Sequence, residues 1–439
     1  MGIKVCKFGG TSMADGNVIQ NVKSIIDSDV ERRFVVVSAP GKRYSGDSKV
    51  TDLLYKCHAE IKSIESFKEA FAAVRARYVS LVKELKLNFD INAVLDETEQ
   101  RIKEKNSEDF TASRGEYLSA RIVAEVLGAK FIDAKDVIFF DKKGLFNAEK
   151  SYKAISKALK GVERAVFPGF YGQGADGKVK TFSRGGSDIS GAIVARAVNA
   201  SLYENWTDVS GFLACDPRIV ENPKWIKSIS YKELRELSYM GANVLHAESI
   251  FPVRKANIPI QIKNTFRPQD EGTSILPTSR YVPCGNIVTG IAGKKNFTVI
   301  FIEKSLMNAE VGFMSKVFAV LSKAGVSVEH VPSGIDTMSL VIESEQLNEE
   351  KLDIILKGIK SAVKPDYLRV LENVALIATV GHGMSSSVGT SARLFSAIAA
   401  AEINVKMIDQ GSSELNIIVG VDNEDYEKCI KAIYSEFFN

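Results

Sequence analysis

The chain has 439 residues, 45% hydrophobic and 25% charged, the composition of an ordinary globular protein with room for two to three domains. Its 57 basic and 54 acidic residues leave a net charge of +3, too near balance to imply a nucleic-acid or polybasic membrane surface. Five scattered cysteines without a Cys-x-x-Cys pair argue against a disulfide framework or a zinc site and fit a reducing cytoplasm, and no apolar run reaches membrane-spanning length.

The opening stretch, Met1 to Met13, organises the reading. Ile3 to Phe8 has β propensity with apolar alternation and reads as a first strand, not a leader. Gly9 and Gly10 follow, and Thr11 and Ser12 are good caps for the helix that Val18, Val22, Ile25 and Ile26 predict. Strand, Gly-Gly turn and helix start together suit a phosphate, because glycine lets backbone N–H groups approach an anion and a helix start adds partial positive charge. Lys7 adds a full charge. It precedes the glycines, so this is not a P-loop, and a plain tight turn would account for the same residues.

Phe34 to Ala39 reads as a buried parallel strand ending at Pro40-Gly41, with a polar loop, 42–49, after it. Thr51 begins a largely helical region, 52–127. His58 in it reads as structural. Ser113-Arg114-Gly115-Glu116 opens a helix over 117–127, where a glutamate in the first turn would by default serve the helix dipole. Short strands at 130–132, 164–168 and 202–205 alternate with helices and argue for a mainly parallel sheet. Within this region, 182–190 places a second Gly-Gly, flanked by Arg184 and Asp188, before a helix at 192–198. Two such helix starts, one with lysine and one with arginine and aspartate, suggest a site for phosphates and a zwitterionic substrate.

The remainder differs. Residues 267–296, with several prolines and glycines, read as a linker. Strand 298–302, helix 312–325, strands 326–331 and 339–342 and helix 349–362 follow, and the same order recurs from Val374 to Phe437. Ala324 to Gly334 aligns without gaps on Ala401 to Gly411, 77 residues on. Two βαββαβ units imply two small α+β sandwiches whose edges invite pairing with another chain.

Together, Lys7-Phe-Gly-Gly-Thr-Ser12, Val36-Val-Ser-Ala39, Ser113-x-Gly-Glu116, Arg184-Gly-Gly-Ser-Asp188, Trp206-Thr-Asp208, Asp216-Pro-Arg218 and Gly241-Ala-x-Val-Leu-His246 resemble the aspartokinase family, amino-acid kinases with tandem ACT domains. The resemblance spans essentially the whole chain. It implies an α/β amino-acid-kinase (carbamate-kinase-like) sandwich over 1–285, then ferredoxin-like ACT domains at 297–372 and 373–439. It implies phosphoryl transfer from MgATP to the β-carboxylate of L-aspartate, the first step towards lysine, threonine and methionine. A carboxylate with a solution pKa of about 3.9 needs no general base, so positioning and charge neutralisation should carry the catalysis.

By the same resemblance, Lys7 and the Gly9 and Gly10 amides stabilise the transferring phosphoryl group, with Lys7 and Asp188 catalytic. Arg184 clamps the α-carboxylate, Glu116 and Asp188 hold the α-ammonium, and Thr51 supplies a substrate hydroxyl. Thr11, Ser12, Thr207, Asp208, Leu213, Arg218, Asn243 and Val244 lie around ATP, while His246 stays structural. No side chain is assigned as a metal ligand. Leu213 and Asn243 depart from the family, which often has tyrosine and lysine there; Lys263 or Arg267 would have to supply the missing charge. The resemblance also implies a homodimer, or a dimer of dimers, joined through ACT domains. A lysine effector, or alternatively threonine, would bind at Met307, Phe313, Met314, Ser327, Val328 and Glu329. Glu329 offers an ammonium a carboxylate where the aligned residue of the second repeat is Lys406. A kinase of another acidic amino acid and a non-catalytic amino-acid sensor are the alternatives.

Overall fold

The computed structural model describes residues 2–105, 107–183, 185–242, 245, 249–282 and 285–438. They fall into two compact units, the first comprising 2–212, 225–234 and most of 243–281, the second 213–224, 235–242 and 282–438.

The first unit is built on an eight-stranded sheet. Its order is Ser228–Ser230, Thr273–Leu276, Ile260–Asn264, Leu202–Thr207, Lys4–Phe8, Arg32–Val37, Ala165–Pro168, Lys130–Phe131. From Ile260–Asn264 onward every pairing is parallel, and Thr273–Leu276 runs antiparallel to Ile260–Asn264 and parallel to Ser228–Ser230. The runs Val5-Cys6 and Phe34 to Val37 are buried because helices cover both faces of such strands. Chain order reverses at Lys4–Phe8: the chain passes next to Arg32–Val37 on one side and returns much later as Leu202–Thr207 on the other. Ligands of open α/β sheets bind outside the carboxyl ends of strands at such a switch point, and the Gly9-Gly10 turn lies there.

Several local expectations change. Thr11 and Ser12 do not cap a long helix; they lie in a short 3-10 turn, Gly10–Met13. Helix Gly16–Asp27 is capped instead by Asp15, whose carboxylate accepts from the Val18 amide. Glu116 is not in a first turn. Its helix runs Glu108–Leu127, capped by Ser107, because Phe110, Ala112 and Leu118 bury there on both sides of the Ser-Arg-Gly-Glu segment. The helix expected at 192–198 starts earlier, spanning Gly186–Ala197, which puts Asp188 in its first turn. Thr273–Leu276 and the start of Gly290–Glu303 are strands inside the stretch read as a linker.

In the second unit, Gly290–Glu303 and Tyr367–Val380 run antiparallel through a five-stranded sheet, with register shifts between Lys294 and Val299. Residues 297–303 pair with Thr337–Glu343 and with 367–374, completing the first repeat; residues 290–294 pair with 376–380. The second repeat ends in helix Tyr426–Phe438, so its fourth strand comes from 290–294, ahead of the first repeat. Residues 326–331 form no regular strand. They are held by isolated bonds, Glu329 N–H to Val341 and Val341 N–H to His330, and Pro332 next in line has no N–H to continue a ladder. No helix among the described residues is long and apolar enough to cross a membrane.

Candidate active site

Lys7 is the penultimate residue of its strand, beside Val36 on one side and Asn205 on the other. Its side chain is nearly buried, and Nζ lies 2.7 Å from Oδ1 of Asp188. Asn205 Nδ2 donates to that same oxygen at 2.8 Å. Tyr203, two residues earlier on the same face, donates to the Asp188 carbonyl at 3.0 Å. A Cβ at Gly191 would lie 2.5 Å from that hydroxyl, so glycine at 191 lets the helix carrying Asp188 settle onto the strand. Lysine and aspartate from the two Gly-Gly segments therefore meet as one pair.

The turn after Lys7 is tightly built. The Gly9 N–H donates to the Trp206 carbonyl at 3.0 Å. That amide is thus engaged within the turn. The space beside Gly9 remains suitable: a Cβ there would meet Lys7 Nζ and Trp206 O at 3.6 Å. Gly10 and Gly41 pack backbone to backbone, the Gly41 N–H donating to Gly10 O at 2.8 Å, and a Cβ at Gly41 would lie 2.8 Å from the Gly10 carbonyl carbon. Arg77 reaches in from helix Ile64–Glu84 to donate to Gly41 O and to Asp47, fixing the polar loop at both ends. Ser12 is fully buried, its hydroxyl 2.7 Å from that of Thr265.

Residue 39 connects this turn to Glu116. The Ala39 carbonyl would lie 3.1 Å from a Gly10 Cβ, and the Ala39 methyl 2.7 Å from a Gly115 Cβ, so glycine at 115 brings helix Glu108–Leu127 against the turn. Glu116 is buried, and burial pushes its carboxyl up to about 8 against the opposing pull of the Ala39 amide. Among the described residues its Oε2 has no hydrogen-bond partner. A buried, unsatisfied carboxyl is costly and calls for a cationic ligand. Thr51 is in helix Val50–Ala59, and the Val50 side chain approaches the same Gly115 position.

Thr207 ends its strand, its hydroxyl 3.1 Å from the exposed Asp208 carboxylate. Lys263 lies beside Trp206 but donates to the Asp270 carbonyl, and burial lowers its pKa; Arg267 is exposed. Leu213 and Arg218 belong to the second unit. Leu213 is half-buried, and Arg218 is exposed and pairs with Asp216 at 2.6 Å. Arg184, Asn243, Val244 and His246 lie outside the described residues.

At the expected effector position, Met307 and Phe313 are buried in the core of the first repeat and Val328 packs against it. Met314 is 40% exposed, and the Ser327 amide donates to Gln346. Glu329 is half-buried and forms no ion pair among the described residues; burial, then the charge of Glu343, raises its pKa.

Asn205, Gly41 and Arg77 escaped the sequence reading. Asn205 had a signal: Glu204-Asn205 puts two polar residues side by side in a central strand, where each must find a buried partner. Arg77 had none, since a single arginine on an amphipathic helix reads as surface.

Comparison with known proteins places the fold. The amino acid kinase family matches residues 2–264 and the ACT domain matches 377–437. The fold is that of an amino acid kinase followed by ACT-type repeats. The chain is 39% identical to aspartokinase 3 of Bacillus subtilis, the match covering 99% of each. The crystal structure of Clostridium acetobutylicum aspartate kinase, an allosteric enzyme, is 53% identical with a TM-score of 0.93, covering 99% of this chain and 100% of that one. Two structures of E. coli aspartokinase III, one with aspartate and ADP (R-state) and one with lysine and aspartate (T-state), are each 25% identical and cover both chains fully, with TM-scores of 0.78 and 0.74. This chain belongs to the aspartokinase family and is an aspartate kinase.

Proposed function

We propose that the chain transfers the γ-phosphoryl group of ATP to the β-carboxylate of L-aspartate, giving 4-phospho-L-aspartate and ADP at the head of lysine, threonine and methionine synthesis in the cytoplasm. A carboxylate oxygen forms the new bond to phosphorus, and the bond to the bridging oxygen of ADP breaks. No proton moves in the transfer step itself, so the protein's task is to bring two anions together. Lys7 leaves Asp188 to meet the phosphates, which approach over Gly9 and Gly10 beside Thr11 and Ser12. Glu116 ionises to accept the α-ammonium group with Asp188, Arg184 grips the α-carboxylate and Thr51 adds a hydroxyl. Thr207, Asp208, Leu213, Arg218, Asn243 and Val244 surround the nucleotide.

The described residues contain no cluster of three His, Cys, Asp or Glu side chains able to cage a metal. Mg2+ keeps several waters and is held by one or two carboxylates with substrate phosphates; Asp208, exposed at the end of strand Leu202–Thr207, is the carboxylate that would hold it. Bound there, the ion would neutralise phosphate charge.

The domain reading is 1–285 for the kinase and 297–372 and 373–439 for the ACT units, with 290–294 lending a strand to the second. Two chains pair through these units as a homodimer or a dimer of dimers. Free lysine, or alternatively threonine, binds at Met307, Phe313, Met314, Ser327, Val328 and Glu329 and favours a less active state. The observation that most supports the whole reading is full-length likeness to the aspartate–ADP complex of E. coli aspartokinase III. ADP release measured with aspartate, glutamate and N-acetylglutamate, each with and without lysine and threonine, tests it. Release with aspartate alone, reduced by one effector, is the expected result; release with another acid, or none, overturns it.

A further inference from the structure

Asn205 has no part in the mechanism so far. We infer that Asn205 is a positioning residue for phosphoryl transfer, holding the Asp188 carboxylate while Lys7 is drawn onto the nucleotide; the inference rests on the roles proposed for Lys7 and Asp188.

Two donors converge on one oxygen. Asp188 Oδ1 takes Lys7 Nζ at 2.7 Å and Asn205 Nδ2 at 2.8 Å. Lys7 bound to Asp188 has its charge largely spent on a carboxylate, and phosphates can recruit it only if Asp188 survives its departure. A carboxylate left without a donor in a mostly buried position is costly. The Asn205 amide remains in place when Lys7 moves, because Asn205 is buried in the central strand and cannot follow.

The strand itself is locked. On the opposite face Glu204 accepts from Arg32 at 2.8 Å, from Trp206 at 2.9 Å and from Cys6 at 3.4 Å. Tyr203 ties the Asp188 backbone to the same strand. Asn205 thus lowers the cost of moving Lys7 and fixes the carboxylate that remains to face the substrate ammonium. A glutamine or serine could not reach the same oxygen from this backbone position with the same geometry.

Two variants test this against a purely structural role. Asn205→Leu keeps the branched shape and the number of side-chain heavy atoms and removes the donor; kcat should fall by about tenfold or more while the thermal midpoint stays near wild type. Asn205→Asp makes the effect titratable. The titratable groups facing position 205 are Lys7, Asp188 and Tyr203, with Glu204 and Arg32 behind the strand. Two carboxylates sharing a site hold one proton to raised pH. Protonated, the new side chain donates to Asp188 as the amide does; ionised, it repels Asp188 and holds Lys7 back.

The ratio of variant to wild-type kcat should therefore fall about tenfold or more between pH 6 and pH 9. A flat ratio, or wild-type kcat in folded Asn205→Leu, overturns the inference. If Asn205→Leu does not fold, Asn205→Asp decides alone, its own activity at pH 6 serving as the folding control. Wild-type protein that releases no ADP with aspartate overturns the proposed function, and this inference with it; wild-type activity with a flat ratio overturns this inference only.

Discussion

Aspartate binding should release a proton, and the site that sets its size is Glu116. Burial in helix Glu108–Leu127 disfavours the charged form and pushes its carboxyl up to about 8. An ammonium group placed against the orphaned Oε2 would ionise it. At pH 7 about one molecule in eleven carries the ionised form, so each bound aspartate should release about 0.9 proton. Only that fraction is ready to bind. The aspartate KM should therefore fall about tenfold from pH 6 to 7, about fivefold from 7 to 8, and level off above. Calorimetry in buffers of low and high ionisation enthalpy counts the proton, and steady-state kinetics follow KM. Glu116→Gln should abolish the release, raise KM at pH 8 and flatten its pH dependence. The stability sign runs the other way from substrate binding. A carboxyl whose folded pKa is raised stabilises the fold below its unfolded pKa of about 4.5, and that contribution is lost as pH rises through 8. Glu116→Gln should then melt progressively higher than wild type as pH climbs across that window. Proton release that persists in Glu116→Gln, or a wild-type KM indifferent to pH, would refute the reasoning.

The two opening glycines should behave differently. Gly9 has an extended backbone, and a methyl there meets nothing closer than 3.6 Å, so Gly9→Ala should fold normally yet raise the ATP KM by obstructing the space beside Lys7. Gly10→Ala presses on Ala39 O at 3.1 Å and should lower the melting temperature as well; equal melting of both variants would contradict the packing argument. Arg184→Lys should raise the aspartate KM strongly with the ATP KM nearly intact, since losing a bidentate charged contact costs roughly 2–5 kcal/mol; an unchanged aspartate KM removes Arg184 from the site. Calorimetry should show lysine binding wild type and losing about tenfold or more in affinity for Glu329→Ala, with aspartate and MgATP weakening binding reciprocally; equal binding to both proteins would show the pocket is misplaced.

The corners that carry Lys7 and Asp188 were legible because glycine pairs and charged residues mark them locally in the chain. Lys7 with Gly9-Gly10, and Asp188 after the second Gly-Gly, mark strand-to-helix corners, and parallel pairing brings those corners to one edge of the sheet. Their direct contact was not legible, since it depends on Leu202–Thr207 lying beside Lys4–Phe8 across almost 200 residues of chain. The same reason hid Asn205, and the Gly10–Gly41 packing depends likewise on the pairing of Lys4–Phe8 with Arg32–Val37. The start of helix Glu108–Leu127 was missed because Ser113 and Gly115 are weak helix formers, outweighed by burial on both sides. The repeat was visible at its 77-residue offset, but the exchange of strand 290–294 into the second repeat was not, because an alignment shows which residues correspond and not which strands pair. Glu116 showed its identity in the motif and its ionisation only in the fold.

The most direct test of the account is the aspartate-dependent formation of an acyl phosphate by wild type and Lys7→Ala. Hydroxylamine added during turnover traps the acyl phosphate as a hydroxamate, and circular dichroism confirms that both proteins are folded. The account predicts hydroxamate and ADP in equal amounts from wild type with L-aspartate and MgATP, and a fall of about a thousandfold or more in Lys7→Ala. Near-normal hydroxamate from folded Lys7→Ala, or none from wild type, would contradict it.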